Sequence, residues 1–149
     1  MIEFKPPQQI QNRYKKSIFL AGTIDMGNSE DWQFKVKDFF LGKDVDIYNP
    51  RRASWDNSWI QEFENPQFYQ QVNWELNALE KADYIVLNLL PNSKSPISLL
   101  ELGLFAKSGK LLVCCPKEFY RSGNVQVVCD KYNIPLFTDI DELLNTVKL

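Results

Sequence analysis

Five short apolar runs, separated by stretches with helical spacing, limit what this 149-residue chain can fold into more than any other feature. Short apolar runs bounded by turn residues are typical of buried strands, whereas apolar residues three or four positions apart are typical of helices. Tyr84–Leu90 is the most continuous run, as expected at the centre of a parallel sheet. The predicted strands are Ser17–Ala21, Val45–Tyr48, Tyr84–Leu90, Leu111–Cys115 and Ile134–Phe137.

This alternation of strands and helices predicts the fold class. Alternating strands and helices form an open parallel sheet that is covered by helices on both faces, and right-handed crossovers leave few topologies. The simplest of these is the flavodoxin-like strand order 2-1-3-4-5. We therefore expect one α/β domain over residues 1–149, in which residues 1–17 form an extended lead-in without chemistry.

The composition excludes several classes of function. A formal charge of −2 does not favour nucleic acid or a membrane surface as a partner. The absence of histidine excludes Ser-His-Asp and Cys-His catalysis and removes the commonest zinc ligand, so we expect no metal site. The three cysteines lack chelating spacing and predict reduced core residues in a cytoplasmic protein. No apolar run is long enough to span a membrane, and no signal peptide is recognised.

Two loops of the predicted sheet meet at one crevice. In this strand order, ligands bind beyond the carboxyl ends of the first and third strands. The loop Gly22–Asn28 follows the first strand, and a serine-rich turn over 91–98 follows the third. Gly22 would let a ligand approach the backbone. Asp25 is either a contact on the base side of the ligand or a simple turn residue. The candidate hydroxyl or phosphate contacts in the turn are Ser93, Ser95 and Ser98.

One carboxylate, Glu101, lies in a helix that is apolar on nearly every side. Ser98 followed three residues later by Glu101 fits a capping box in the first helical turn, which would give the acid a structural role. The alternative is a nucleophile that the helix dipole keeps ionised at the crevice. The position of this turn in the predicted sheet favours an active-site residue that can also cap the helix.

A second acid, Glu75, lies beside the apolar stripe of the helix predicted to begin at Asn65-Pro66 and to run to about Ala82. It is either a glutamate at the edge of the stripe whose carboxylate reaches water or a second acid of the site. The predicted stripe consists of Phe68, Val72, Leu76 and Leu79.

The loop 49–59 is long for a compact domain, and it is rich in arginine and tryptophan. Arg51 and Arg52 either clamp a phosphate or bond to Asp56 and to backbone carbonyls. Trp55 and Trp59 either stack on a ligand ring or pack within the loop. Asp56 is a candidate general acid.

The motifs for the common nucleotide cofactors are missing. No G-x-G-x-x-G and no Walker loop follows the first strand, so we expect no cofactor. Carboxylates, serines and aromatic residues remain, and this set suits attack at an anomeric carbon. A retaining glycosyl transfer needs one carboxylate as the nucleophile and a second group to assist it.

Several motifs, in order over about residues 17–116, resemble the nucleoside 2-deoxyribosyltransferase superfamily, and within it the 2-deoxyribosyltransferase-like branch. The motifs are Ile18-Phe-Leu-Ala-Gly22, Tyr48-Asn-Pro-Arg-Arg52 with Trp55-Asp56, Asn73-Trp-Glu-Leu-Asn77, Ala82-Asp-Tyr-Ile-Val86 and Ser98-Leu-Leu-Glu-Leu-Gly103.

The resemblance implies a homo-oligomeric, Rossmann-like enzyme that cleaves the N-glycosidic bond of a (deoxy)nucleoside or its 5′-monophosphate and passes the sugar to water or to another base. It implies that Glu101 is the nucleophile, that Glu75 assists it or binds sugar hydroxyls, and that the serine turn meets the 5′ end of the ligand. Ser95 or one of its neighbours stands where these transferases often have a second aspartate, and Phe19 stands where they often have a tyrosine. These departures favour hydrolysis of a nucleotide over base exchange.

Two other classes of function remain open from the sequence. A non-catalytic nucleotide-binding or signalling module would bind nucleotide and release no base. An interaction domain would do neither.

Overall fold

The computed structural model describes residues 1–52, 56 and 58–149, and it shows an α/β fold. All strand pairings in this part of the chain are parallel, and they form a single sheet. The strands are β1 (Ile2–Phe4), β2 (Ser17–Gly22), β3 (Asp46–Tyr48), β4 (Tyr84–Asn88), β5 (Leu111–Cys114) and β6 (Leu136–Phe137). Their order across the sheet is β1-β3-β2-β4-β5-β6.

The predicted count of five strands is wrong, because the described part of the chain forms six. The added strand is β1, which lies inside the expected lead-in and pairs with β3 at the edge of the sheet. Phe4 is only 2% exposed and packs edge-on against Tyr48, with ring centroids 6.0 Å apart. The other five strands keep the predicted neighbours. The predicted fold class, a parallel sheet with helices on both faces, is confirmed.

Helices cover both faces of the sheet. They are α1 (Trp32–Phe39), α2 (Pro66–Lys81), α3 (Pro96–Phe105), α4 (Ser122–Tyr132) and α5 (Ile140–Leu144). One apolar core contains residues of α2, α3 and α4, and the core on the opposite face contains residues of α1 and α5. The three cysteines are free and buried. In the described part of the chain, no helix is both long enough and apolar enough to cross a membrane.

The buried face of α2 differs from the predicted stripe. The Asn65 side chain caps the helix, as predicted, but Leu76 is 37% exposed. Trp74 is buried instead, and its indole N–H donates a hydrogen bond of 2.8 Å to the carbonyl of Gln8. The larger apolar area of the tryptophan, together with this bond, sets the rotation of the helix. Glu75 follows Trp74 and is partly buried beside the sheet.

Candidate functional site

The carboxyl ends of β2 and β4 lie side by side, where the sequence predicts the crevice. Gly22, the last residue of β2, pairs with Asn88, the last residue of β4. The φ angle of Gly22 is +131°, and a Cβ atom at this residue would lie 2.1 Å from the carbonyl oxygen of Asn88. Only glycine fits here. The close approach of the two strands therefore explains Gly22 without a ligand.

The loops after these two strands are joined by hydroxyl groups. The Ser93 hydroxyl donates to Asp25 Oδ1 at 2.8 Å and lies 2.8 Å from the Ser95 hydroxyl. The Ser95 hydroxyl lies 2.6 Å from the Thr23 hydroxyl, which accepts a hydrogen bond of 3.0 Å from the Leu90 N–H. The structure thus brings together Asp25, Ser93 and Ser95 beyond the carboxyl ends of β2 and β4.

The start of α3 differs from the prediction. Ser95 precedes the helix in a left-handed conformation with φ +45°, and Pro96 is the first helical residue. Proline is favoured at this position because it has no N–H to leave unsatisfied. Ser98 is therefore inside the first turn, and Glu101 lies in the second. The predicted capping box between Ser98 and Glu101 is wrong, and the structural explanation for a buried acid at this position is lost.

The Glu101 side chain is buried, with 8% of the residue exposed, and none of the described residues donates a hydrogen bond to its carboxylate. Burial raises its pKa to about 8, and the neighbouring negative charge of Glu75 contributes to the increase. The structure therefore brings these two acids, from separate helices, into electrostatic contact. Two like charges in one partly desolvated space favour a state in which the pair retains a proton.

Glu75 is held by a short chain of polar side chains. The Gln71 amide donates to Glu75 Oε1 at 2.5 Å and to the carbonyl of Pro50 at 3.3 Å. The amide oxygen of Gln71 accepts a hydrogen bond of 2.6 Å from Arg52 Nε. Burial raises the pKa of Glu75 to about 7, whereas the hydrogen bond from Gln71 and the positive charge of Arg52 oppose this increase.

The two arginines of the loop have different surroundings. The Arg52 guanidinium lies 4.7 Å from the Trp59 ring, and one of its terminal nitrogens is buried without a hydrogen-bond partner among the described residues. Burial lowers the pKa of Arg52, and the nearby Glu75 opposes this effect. Arg51 instead donates to carbonyls of the loop after β2, including those of Gly27 at 3.0 Å and Ser29 at 2.8 Å. Its guanidinium therefore fastens that loop.

Two further candidates lie in the same loop. The exposed Asp56 carboxylate accepts hydrogen bonds from the hydroxyl and the N–H of Ser58, which lower its pKa. A depressed pKa suits a turn cap better than a general acid. Trp55 lies outside the described residues.

Two polar residues of the site were missed by the sequence analysis. Gln71 precedes Glu75 by four residues, so both lie on one face of α2, and this spacing was the available signal. Thr23 directly follows the strand that ends at Gly22, where a hydroxyl could reach the neighbouring loop. Among the described residues, no group of three cysteine, aspartate or glutamate side chains could hold a metal ion.

Comparisons with known proteins give a family and related structures. The family model described as "Nucleoside 2-deoxyribosyltransferase like" matches residues 15–119. The fold is similar to the crystal structure of a conserved protein from Enterococcus faecalis V583, with a TM-score of 0.62 and 14% sequence identity. That similarity covers 87% of this chain and 95% of the other. No curated protein matches the sequence.

Proposed function

Because the chain belongs to the nucleoside 2-deoxyribosyltransferase-like family, we propose that it cleaves the N-glycosidic bond of a nucleoside or a nucleoside 5′-monophosphate and transfers the sugar to water or to another base. The family supports a glycosyl transfer that involves nucleosides. The observation that carries the finer proposal is the buried carboxylate of Glu101, whose pKa is raised by burial and by the negative charge of Glu75 on a separate helix.

In the proposed reaction, Glu101 is the nucleophile. One of its carboxylate oxygens bonds to C1′ of the sugar while the bond from C1′ to the base nitrogen breaks. The electron pair of that bond stays on the base, which takes up a proton from water. Water, or a ring nitrogen of a second base, then attacks C1′ and releases Glu101, while Glu75 accepts the proton of the attacking group.

The electrostatics of the pair suit this sequence of steps. Positive charge develops on the sugar as the base leaves, and it favours the ionised form of Glu101. The Gln71 amide donates to Glu75 and accepts from Arg52, so the second acid has a fixed orientation. The buried Arg52 nitrogen that has no hydrogen-bond partner among the described residues offers a donor to an acceptor atom of the ligand.

The test is release of free base from a panel of deoxynucleosides, ribonucleosides and their 5′-monophosphates, followed by chromatography. We expect Glu101→Gln to lower the rate at least about 1,000-fold, as removal of a nucleophile does. The matched control is Glu118→Gln, in an exposed loop, which should leave the rate unchanged. Because the nucleophile must be ionised, kcat/KM should rise with pH between about 6 and 8.

Two results would contradict the proposal. Base release that survives unchanged in Glu101→Gln would remove the nucleophile. Saturable nucleotide binding without base release from any substrate would favour the non-catalytic module.

A further inference from the structure

The hydroxyl chain between the two crevice loops ends on the carboxylate of Asp25. We propose that Asp25 is a specificity residue that accepts a ligand hydroxyl and rejects a 5′-phosphate. This inference rests on the proposed function and narrows its substrate to the free nucleoside.

The direction of each hydroxyl proton in this chain follows from the bonding partners. An ionised carboxylate can only accept, so the hydrogen bond of 2.8 Å between Ser93 and Asp25 uses the Ser93 proton. Ser93 must then accept from the Ser95 hydroxyl, 2.8 Å away, and it also accepts from the Ser95 N–H. The Ser95 oxygen must in turn accept from Thr23 at 2.6 Å. At the other end of this hydroxyl chain, the Leu90 N–H donates a hydrogen bond to the Thr23 hydroxyl.

Every hydroxyl in the chain has therefore used its single proton. A phosphate oxygen needs donors, and neither Ser93 nor Ser95 has one left. The residue at the open end of the chain is Asp25, which is exposed and whose Oδ2 accepts no hydrogen bond from the described residues. This carboxylate can accept a proton from a sugar hydroxyl, whereas it repels the negative charges of a phosphate.

The hydroxyl chain lies in a suitable position to contact the end of the sugar that is remote from the base. Ser95 precedes α3, and Glu101 follows it by six residues, about 9 Å along the helix axis. Side chains on a helix point back towards its N-terminus, which shortens the gap between the Glu101 carboxylate and the turn. A sugar with C1′ at Glu101 would direct its 5′ carbon towards the loop of Asp25.

Two cations lie near the hydroxyl chain: Lys94 is part of the loop after β4, and Arg51 contacts the loop after β2. The Arg51 guanidinium donates hydrogen bonds to backbone carbonyls, among them that of Gly27, two residues after Asp25. Lys94, between the two buried serines, is exposed and forms no ion pair with the described residues. Lys94 is therefore the residue that would attract a phosphate if the inference were wrong.

The test compares a deoxynucleoside with its 5′-monophosphate, in turnover and in binding by calorimetry. Turnover is measured with the wild-type protein. Binding is measured with Glu101→Gln, so that no base is released during the titration. The specificity variant is Asp25→Asn, which keeps an acceptor for Ser93 and tolerates the left-handed backbone at φ +48°. Asp130→Asn, on the exposed face of α4, makes the same charge change away from the crevice.

We expect the protein to favour the nucleoside by at least about tenfold, and Asp25→Asn to reduce this preference by about tenfold. The preference should be unchanged in Asp130→Asn. A preference for the monophosphate that disappears in Lys94→Gln would overturn the inference, and so would a nucleoside preference that Asp25→Asn leaves intact. Selective nucleoside binding without base release would refute the proposed reaction and leave the role of Asp25 standing. If neither compound binds, both the proposed reaction and the role of Asp25 are refuted.

Discussion

Glu101 combines two conditions that rarely occur together in a stable protein, namely burial and a neighbouring like charge. Its ordinary pKa is 4.5, and in the fold the value rises to about 8. The folded protein therefore binds more protons than the unfolded chain between these two values. The free energy of unfolding must fall as pH rises through this window, because the neutral acid is the form that the fold tolerates.

This linkage predicts that removing the acid stabilises the protein at high pH. At pH 5, Glu101→Gln should be more stable than the wild type by less than about 1 kcal/mol, because the wild-type acid is protonated in the folded state and has only begun to ionise in the unfolded chain. At pH 8, we expect the variant to be more stable by about 1 kcal/mol or more. Urea unfolding at both pH values measures the difference, with Glu118→Gln as the exposed control. A wild type that loses no more stability than the variant between pH 5 and pH 8 would refute the burial argument.

Among the elements, β2 and α3 show how differently two glycines can be constrained. A Cβ atom at Gly22 would lie 2.1 Å from the oxygen and 2.7 Å from the nitrogen of Asn88, whereas a Cβ atom at Gly103 would meet nothing within 4 Å. Gly103 lies inside α3, where alanine is favoured over glycine. The same substitution should therefore have opposite effects at the end of the strand and inside the helix.

We expect Gly22→Ala to destabilise the protein by about 3 kcal/mol or more, because β2 and β4 would have to separate. Gly103→Ala should stabilise it by about 0.5–1 kcal/mol. Thermal and urea unfolding of both variants, at a fixed pH, measure these effects. Equal stability of Gly22→Ala and the wild type would mean that the two strands do not approach as closely as described.

The elements that the sequence predicts well are those with local causes. Tyr84–Asn88 is a continuous apolar run, and Asn65 before Pro66 is a strong helix start. β1 was missed because Ile2–Phe4 is too short to give a pattern, and its strand conformation depends on pairing with a distant segment. At α3, two helix-start signals compete within four residues. Pro96 outweighs the pattern of Ser98 and Glu101, since proline cannot be accommodated further into a helix.

For the molecule as a whole, the topology could be predicted, but the contacts that join its loops could not. The strand order brings the ends of β2 and β4 together, and this was sufficient to expect Asp25 and Ser93 in one crevice. The attachment of Gln71 to Glu75 and Arg52 depends on the rotation of α2, which Trp74 sets through a residue of the N-terminal segment. Such long-range packing leaves no mark on local periodicity.

The outer face of α3 bears on the assembly of the molecule. Ile97, Leu100 and Leu104 are each more than half exposed, at 59%, 58% and 59%, and they follow one another at helical spacing. Contiguous exposed apolar residues are unusual on a monomer, and a formal charge of only −2 opposes self-association weakly. We therefore expect this row to contact a second copy of the chain, in line with the homo-oligomer that the family resemblance implies.

Leu100→Glu should weaken this association at least about tenfold, because a charge would have to be desolvated in the contact. Light scattering behind size-exclusion chromatography, over a range of protein concentrations, measures the shift. The control is Leu41→Glu, which introduces the same charge at a residue that is 71% exposed just after α1, on the other face of the sheet. A wild type that is monomeric at every concentration, or equal dissociation by both variants, would show that the row on α3 is not the contact. Because α3 also carries Glu101, base release measured on the dissociated Leu100→Glu protein would show whether the crevice is complete within one chain.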